Sequence, residues 1–446
     1  MAPLRALTSP AFGQSLLLAR RLYSSTSLRV LRDDPDVPGF KLGGIKAGLK
    51  PSGNHDLCLV LSERPCTAAA VFTTNKFCAA PVQLDREILT ACGGENVRAV
   101  LINAGQANAV TGSEGLANAR AQVAAVKKQL NLASPSEVLV MSTGVIGSQL
   151  DMVKMTAGIE KVCGAVESGP KGWHIASRTI MTTDTVPKTA TLSAPVGTST
   201  ILFGGMAKGA GMIHPNMATL LGITCTTANI SAPCLQESIR FAADRSFNSI
   251  DIDGDTSTND TVMVLANASV GPRIDSTRAP EFLQFRDALT ALMQDLAQQI
   301  IKDAEGATRF VTIIVKGAKS FLDARQVGQS VAQSMLTKCA IFGNDGNWGR
   351  ILCAVGYSGI DIDPKKVSLR FHAGPSADGS LSGSVELVRA GEPVGGPPAR
   401  KAVGLLLKNN TEVALEIELG VGSEGATVWT SDLSYEYVKI NAEYTT

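Results

Sequence analysis

The most reactive arrangement in this sequence is a single hydroxyl residue, Thr219, placed directly after Ala218 in a glycine-rich apolar stretch that also contains Lys208 and His214. If the Ala218–Thr219 peptide bond were cleaved, Thr219 would carry both a hydroxyl nucleophile and a free α-amine. An α-amine has a pKa of about 7.7–8.0, so it can accept the hydroxyl proton near neutral pH. Threonine and its own amine form a known nucleophilic pair. From the residues alone, a loop–helix junction with Thr219 packed at the first turn is the more frequent arrangement.

Residues 208–222 and six further blocks resemble the ornithine acetyltransferase family, the bifunctional enzymes of arginine biosynthesis. The six further blocks are residues 103–112, 142–147, 182–188, 253–260, 343–350 and 441–446. They follow one another in the family's order and span nearly all of the chain after its N-terminal segment. The resemblance implies that the chain cleaves itself between Ala218 and Thr219 and that Thr219 is the catalytic nucleophile.

The resemblance also implies the remaining site residues. Thr143 and Gly144 match the family's oxyanion-hole motif, in which one donor is typically worth about 2.7–4 kcal/mol; alone, such a pair is more often a turn. His214, which precedes Pro215, is interpreted as a structural loop residue. The implied substrate contacts are Thr182, Lys208, Thr219, Glu305, Asn441 and Thr446.

Glu305 is also supported by a physical argument. The pattern predicts a helix that begins near Glu281 and ends at Glu305, with Gly306 as its C-terminal stop. A carboxylate there faces the negative end of the helix dipole, which is unfavourable by about 0.3–1 kcal/mol. Such unfavourable placements often belong to functional sites. A solvated glutamate, with Lys302 one turn earlier, fits the same residues equally well.

The composition excludes several classes of function. The formal net charge is +1 and no dense basic block follows the N-terminus, so nucleic-acid and membrane partners are not expected. Four dispersed histidines, and nine cysteines without a C-x-x-C pair, give no metal signature. No cofactor is expected. The resemblance implies acetyl-CoA as a co-substrate, although no stretch of the sequence is typical of a CoA site.

Residues 1–32 differ from the rest of the chain because they contain five arginines, several serines and no acidic residue before Asp33. This composition is typical of a mitochondrial transit peptide and predicts a protein of the mitochondrial matrix. A disordered basic tail is the alternative. With this segment set aside, the predicted products of self-cleavage are an alpha chain, residues 33–218, and a beta chain, residues 219–446.

Hydrophobic patterns predict the elements that position these residues. Short apolar runs predict strands at residues 96–103, 137–141, 309–316, 412–419 and 435–440. Helical spacing predicts a helix at residues 113–130, and the apolar side chains three to four positions apart from Phe282 to Ile300 mark one face of the long helix that begins near Glu281. Glycine- and proline-rich stretches predict loops at residues 373–375 and 391–398. The mixed order predicts an α+β fold, and the resemblance implies layered sheets and helices like those of N-terminal-nucleophile hydrolases.

The function that the resemblance implies is transfer of an acetyl group from N-acetylornithine to glutamate through an acetyl-Thr219 intermediate, in a ping-pong reaction. Acetylation of glutamate from acetyl-CoA is the implied second activity. The alpha and beta chains are expected to associate as a heterotetramer with two copies of each. Two alternatives stay open. One is a self-processed aminopeptidase or amidase that transfers the acyl group to water, and the other is an amino-acid-binding protein that never cleaves itself.

Overall fold

The structure, a computed structural model, describes residues 28–214, 220–374 and 381–443. Most of the predicted targeting segment, and the predicted site residues Ala218, Thr219 and Thr446, lie outside the described residues. Within these ranges the strands form two sheets, one of nine strands and one of seven, with helices packed on them. This arrangement confirms the predicted layered α+β fold.

The nine-stranded sheet is built from most of the first 274 residues. In chain order its strands are β1 (Phe40–Ile45), β2 (Leu57–Phe72), β3 (Val97–Gln106), β4 (Val138–Val145), β5 (Glu167–Ser168), β6 (Lys188–Val196), β7 (Ser199–Lys208) and β8 (Leu221–Ile230), followed after the short β9 (Ile250–Asp251) by β10 (Thr261–Ile274). The strand order is β4-β3-β2-β10-β8-β7-β6, and β1 pairs with β2 and β5. The pairs β3–β4 and β8–β10 are parallel, whereas β7 and β8 are antiparallel.

The long strand β2 pairs with different neighbours along its length. Its first half pairs with β3, its second half pairs with β10, and the β3 pairing shifts register between Leu61 and Cys66. A register shift of this kind bends a strand and increases its twist. The end of β4 therefore lies beside the loop that precedes β10, where the Asn259 amide donates to the Ser142 carbonyl at 2.8 Å.

The seven-stranded sheet belongs almost entirely to the last third of the chain. Besides β9 it contains β11 (Phe310–Ala318), β12 (Ser368–Ala373), β13 (Ser382–Arg389), β14 (Glu392–Pro393), β15 (Glu412–Glu418) and β16 (Glu424–Ser431), in the order β14-β13-β12-β15-β11-β16-β9. The predicted strands at 96–103, 137–141, 309–316 and 412–419 correspond to β3, β4, β11 and β15 and are confirmed. Each is a run of mostly buried apolar residues, as the sequence requires.

Helices cover both sheets. In chain order they are α1 (Ala80–Cys92), α2 (Gly112–Gln129), α3 (Met152–Cys163), α4 (Pro170–Thr179), α5 (Ala232–Asp244), α6 (Pro280–Lys302), α7 (Phe321–Gln333), α8 (Met335–Phe342), α9 (Trp348–Gly356), α10 (Gly396–Asn409) and α11 (Tyr435–Glu443). Helices α2 and α6 confirm the two predicted helices. The apolar stripe of α6 from Phe282 to Ile300 is buried against α5 and the strands β6 and β7. No helix among the described residues is both long and apolar enough to cross a bilayer.

Three sequence predictions were wrong in detail. Residues 435–440 form helix α11, not a strand, because Ser434 Oγ accepts the Tyr437 N–H at the helix start and none of the described strands pairs with this segment. Helix α6 ends at Lys302, so Glu305 lies in the turn beyond it rather than in its last turn. The predicted loop at residues 391–398 contains β14 and the first turn of α10, where proline is tolerated because N–H groups there are unpaired.

Residues 343–350, for which the sequence indicates no chemistry, form the connection between α8 and α9 and the first three residues of α9. Asn344 has a φ of 54° and accepts a hydrogen bond from Arg309 Nη2 at 3.1 Å, and Asp345 forms an ion pair with Arg400 at 2.7 Å. These contacts hold the turn against Arg309, which precedes β11, and against Arg400 of α10. It does not line the cavity described below.

Candidate active site

One cavity of about 120 Å³ brings together every predicted site residue that the structure describes. The predicted residues that line it are Thr143, Gly144, Thr182, Lys208, Glu305 and Asn441. They come from the ends of β4 and β7, the loop after α4, the turn after α6, and α11. Because these positions are up to 298 residues apart in sequence (441 minus 143), their meeting in one cavity is a property of the fold and not of local sequence.

The end of β4 supplies Thr143 and Gly144. Gly144 has a φ of 126°, and a Cβ there would lie 2.3 Å from the carbonyl carbon of Gly105 on the paired strand. Only glycine fits this close approach of two backbones. The neighbouring Ser142 carbonyl is already occupied by Asn259, whose amide donates to it. The strand end therefore has a fixed backbone, with the Thr143 side chain facing the cavity.

Lys208, the last residue of β7, lies beside this strand end. Its side chain is almost completely buried, and its Nζ is 3.5 Å from Thr143 Oγ1. A lysine ammonium can only donate hydrogen bonds, so the Thr143 oxygen is the acceptor in this contact. The hydroxyl proton of Thr143 is then free to point toward an acceptor in the cavity. A donor of that kind is what an oxyanion requires.

Buried charges surround Lys208. Burial lowers the pKa of Lys208, and the Asp184 carboxylate is the largest opposing influence, with smaller contributions from Asp260 and Glu305. Burial would raise the pKa of Asp184, but Lys208 and Lys188 outweigh it and lower that pKa to about 2. Asp184 therefore stays ionised and is the main counter-ion that keeps a positive charge on Lys208 inside the protein.

Asp184 also organises the backbone of the site. Its Oδ1 accepts hydrogen bonds from Lys188 Nζ at 2.6 Å and from the Gly209 N–H at 2.7 Å, and its Oδ2 accepts the Thr182 N–H at 2.9 Å. Lys188 also forms an ion pair with Asp303 at 2.5 Å. One carboxylate thus fixes both Thr182 and the residue that follows Lys208. Sequence reasoning missed Asp184, although it lies within the block at residues 182–188.

Glu305 lines the cavity from the turn that follows α6. Its Oε2 accepts a hydrogen bond from Asn441 Nδ2 at 2.8 Å, and its backbone N–H donates to the Ala210 carbonyl at 2.9 Å. A Cβ at Gly211 would lie 2.5 Å from Oε2, so the absence of a side chain there makes room for the carboxylate. Lys302, the sequence-based partner for a solvated glutamate, instead forms an ion pair with Glu412 at 2.6 Å.

Both flanks of residues 215–219 are held by acidic side chains, one partly buried and one fully buried. On one side the Met212 and Ile213 N–H groups donate to Asp253, at 2.6 and 3.0 Å. On the other side the Leu220 N–H donates to Asp260 Oδ1 at 2.9 Å, and Leu221 pairs with Lys208 across the β7–β8 ladder. The chain therefore re-enters the sheet immediately beside Lys208.

Two of these acidic groups have perturbed pKa values. Burial raises the pKa of Asp253 to about 6, against hydrogen bonds from backbone N–H groups and from Tyr437. Burial also raises the pKa of Asp260 well above its usual range, and the Leu220 N–H and Lys208 oppose this shift. The hydrogen-bond partners of Asp253 and Asp260 lie far from them in the sequence, so sequence reasoning did not identify these two residues.

His214 lies outside the cavity lining. Its Nδ1 is 2.8 Å from Asp251 Oδ2, and Gln333 Nε2 approaches the same ring nitrogen at 3.1 Å. These contacts join the loop before residue 215 to β9 and α7. They agree with the interpretation of His214 as a structural residue.

The chain belongs to the ArgJ family, which it matches over residues 41–446. The mitochondrial arginine biosynthesis bifunctional protein ArgJ of Heterostelium pallidum is 44% identical over 426 residues, which cover 94% of this chain and 96% of that protein. The Yarrowia lipolytica protein of the same name is 45% identical over 414 residues, 92% of this chain and 94% of that protein. Among solved structures, the ornithine acetyltransferase of Mycobacterium tuberculosis complexed with ornithine is 41% identical over 42% of this chain and 98% of its own, with a TM-score of 0.39. The family predicted from the sequence blocks is confirmed.

Proposed function

We propose that this protein transfers an acetyl group from N-acetylornithine to glutamate in arginine biosynthesis, through an acetyl-Thr219 intermediate. The observation that carries the proposal is the single cavity in which Thr143, Gly144, Lys208 and Glu305 meet. Membership of the ArgJ family and the names of the relatives support the same pathway. Thr219 precedes Leu220, whose N–H donates to Asp260 Oδ1, and the next residue, Leu221, pairs with Lys208 of the cavity lining. The proposed nucleophile is therefore close in sequence to a residue that is paired with the cavity lining.

Self-cleavage is the first step of the proposed mechanism. The Thr219 hydroxyl attacks the carbonyl carbon of Ala218, the C–N bond breaks, and the nitrogen leaves as the α-amine of Thr219. Water then hydrolyses the ester between Ala218 and the Thr219 oxygen. The products are the alpha chain, residues 33–218 after removal of the targeting segment, and the beta chain, residues 219–446. Cleavage creates the amine that acts as the base in every later turnover.

Acetyl transfer follows in two half-reactions. The Thr219 hydroxyl attacks the acetyl carbonyl of N-acetylornithine while its α-amine accepts the proton. The oxygen of the tetrahedral intermediate becomes negative, and the hydroxyl of Thr143 and the N–H of Gly144 donate hydrogen bonds to it. The intermediate collapses to acetyl-Thr219 and ornithine, whose nitrogen takes the proton back. Glutamate then attacks the ester by the same route and leaves as N-acetylglutamate.

The charges of the cavity fit amino-acid substrates. Lys208 is a buried cation held beside Asp184 and is suited to a substrate carboxylate. Glu305 presents a carboxylate whose Oε2 accepts a hydrogen bond from the Asn441 amide. A substrate ammonium group is also a hydrogen-bond donor and is suited to the same carboxylate. Thr182 completes the described substrate contacts, and Thr446 is proposed as a further one. Donor and acceptor are both α-amino acids, so one site can bind them in turn.

Several further features belong to the same proposal. Residues 1–32 act as a mitochondrial transit peptide, and the mature protein works in the mitochondrial matrix. The names of the relatives call those proteins mitochondrial. The alpha and beta chains associate as a heterotetramer with two copies of each. No cofactor takes part in the transfer. Acetyl-CoA serves as a second acetyl donor for glutamate, in keeping with the word bifunctional in the relatives' names.

A glutamate-dependence assay tests the proposal. Purified protein is incubated with N-acetylornithine, with and without glutamate, and ornithine, acetate and N-acetylglutamate are measured. The proposal predicts N-acetylglutamate in amounts equal to ornithine and little acetate. Equal rates of acetate release with and without glutamate would instead establish the amidase alternative, and no turnover would favour the binding protein. Replacing N-acetylornithine by acetyl-CoA tests the second activity; absence of N-acetylglutamate in that reaction would restrict the enzyme to the recycling reaction.

A further inference from the structure

The C-terminal helix α11 forms one wall of the cavity, yet none of its residues that the structure describes is buried. Tyr435 and Val438 are 84% and 61% exposed. Hydrophobic stabilisation scales with the apolar area removed from water, so burial contributes little to holding this helix in place. Its position over the cavity depends on polar contacts together with two ring contacts, of Tyr437 with the core and of Tyr435 with Phe342, both of which a Tyr→Phe substitution keeps.

Two side chains one turn apart make those contacts at the cavity. Tyr437 Oη donates to Asp253 Oδ2 at 3.0 Å, and Asn441 Nδ2 donates to Glu305 Oε2 at 2.8 Å. Residues at i and i+4 lie on the same face of a helix, so both bonds act from the face that lines the cavity. At the start of the helix, a Cβ at Gly306 would lie 2.6 Å from the Tyr437 nitrogen, so glycine permits the close approach of α11.

Asp253 binds more than Tyr437. The same carboxylate accepts the backbone N–H groups of Met212 and Ile213, at 2.6 and 3.0 Å. In the proposed cleaved enzyme these two residues lie near the end of the alpha chain, whereas Asp253 and Tyr437 belong to the beta chain. One side chain therefore joins the segment before the cleavage site to the helix that covers the cavity, across the two chains.

We propose that Asp253 is a positioning residue for acetyl transfer. Its carboxylate fixes residues 212–213 and, through Tyr437, helix α11 on the cavity, and it thereby holds Asn441 at the Glu305 carboxylate. The inference rests on the proposed function, because it takes Glu305 as the substrate's binding group. Asp253 acts on the reaction through Tyr437 and the 212–213 backbone rather than by contact with the reacting atoms.

The substitution Tyr437→Phe isolates the helix contact. It removes only the hydroxyl, and Asp253 keeps its backbone N–H donors, so the protein is expected to fold and to cleave itself. We expect KM for N-acetylornithine to rise about tenfold, equivalent to about 1.4 kcal/mol, with a much smaller change in kcat. Tyr435→Phe is the matched control, because it removes a hydroxyl from the same helix at a position that is 84% exposed. Its kinetics should equal those of the wild type.

Hydrogen–deuterium exchange of the peptide 435–443 gives a readout that does not depend on activity. We expect faster exchange in Tyr437→Phe than in Tyr435→Phe, and Asp253→Asn should speed exchange there and at residues 212–213. The inference is overturned if the two Tyr→Phe variants share the same KM and the same exchange rates. If the wild type itself transfers no acetyl group, the proposed function fails, and the exchange comparison still decides whether Asp253 positions α11.

Discussion

Thr143→Val tests the oxyanion contribution with the smallest change of shape. Valine replaces the hydroxyl by a methyl group in a residue that is only 4% exposed, so the packing at the end of β4 is retained. The contact from Lys208 at 3.5 Å is lost, but Asp184 remains as the main counter-ion of that lysine. The principal loss is one hydrogen-bond donor to the oxyanion. Such a donor is worth about 2.7–4 kcal/mol, so kcat should fall by roughly 10²–10³-fold.

The assay measures the steady-state rate of acetyl transfer from N-acetylornithine to glutamate. This rate is divided by the concentration of chains that have a free Thr219 N-terminus. The intact mass of each variant is measured first to find the fraction that has cleaved itself. Self-cleavage passes through its own tetrahedral intermediate, so the substitution can slow self-cleavage as well as acetyl transfer. Thr143→Ser restores the hydroxyl without the methyl group and should recover most of the activity. A Thr143→Val enzyme within about threefold of the wild type, a barrier change under about 0.7 kcal/mol, would refute the oxyanion argument.

Two further predictions follow from the geometry of the cavity. Gly211→Ala should raise KM for N-acetylornithine about tenfold or more, because the added Cβ would lie 2.5 Å from Glu305 Oε2 and displace that carboxylate. Gly356→Ala is the control, since a Cβ at that position would meet no neighbouring atom within 4 Å. Equal KM values for the two variants would contradict the argument. Asp184→Asn should lower the free energy of unfolding by about 3–5 kcal/mol, since it removes one of the two carboxylates that pair with Lys188 and the main counter-ion of the buried Lys208. The folded pKa of Asp184 is lowered to about 2, so its stabilisation is present above the unfolded pKa of about 3.9 and is lost as pH falls toward 2. Denaturant titrations at pH 6 and at low pH check this, and a stability difference that does not shrink on acidification would count against the assignment.

The sequence predicted those helices and strands whose apolar residues are spaced in the same pattern as the buried positions of the structure. The apolar stripe from Phe282 to Ile300 is buried in α6, and the apolar runs of β3, β11 and β15 are strands. Residues 435–440 were predicted as a strand because tyrosine, valine and isoleucine favour strands. A strand needs a partner strand, however, and the helix-capping Ser434 was the local signal that the prediction overlooked.

The candidate site could be predicted only in part. Its described members were obtained by matching blocks to a family, and the cavity brings them together. The argument from residues alone for Glu305 placed it in the last turn of a helix that in fact ends at Lys302. Asp253 was missed because its partners are distant: the hydrogen bond from Tyr437 to Asp253 spans 184 residues. Asp184 has local partners in Thr182 and Lys188, but its bond to the Gly209 N–H, which places it beside Lys208, joins two different segments. Neither composition nor periodicity carries information about such contacts.

The central claim is that Thr219 becomes an N-terminal nucleophile, and intact-mass measurement with N-terminal sequencing tests it most directly. Purified wild-type protein is compared with Thr219→Ala prepared in the same way. We predict two fragments for the wild type, with the second beginning at Thr219, and a single uncleaved chain for the variant. A wild-type protein that remains one chain would contradict the mechanism, because Thr219 would then have no free amine to accept the proton of its hydroxyl.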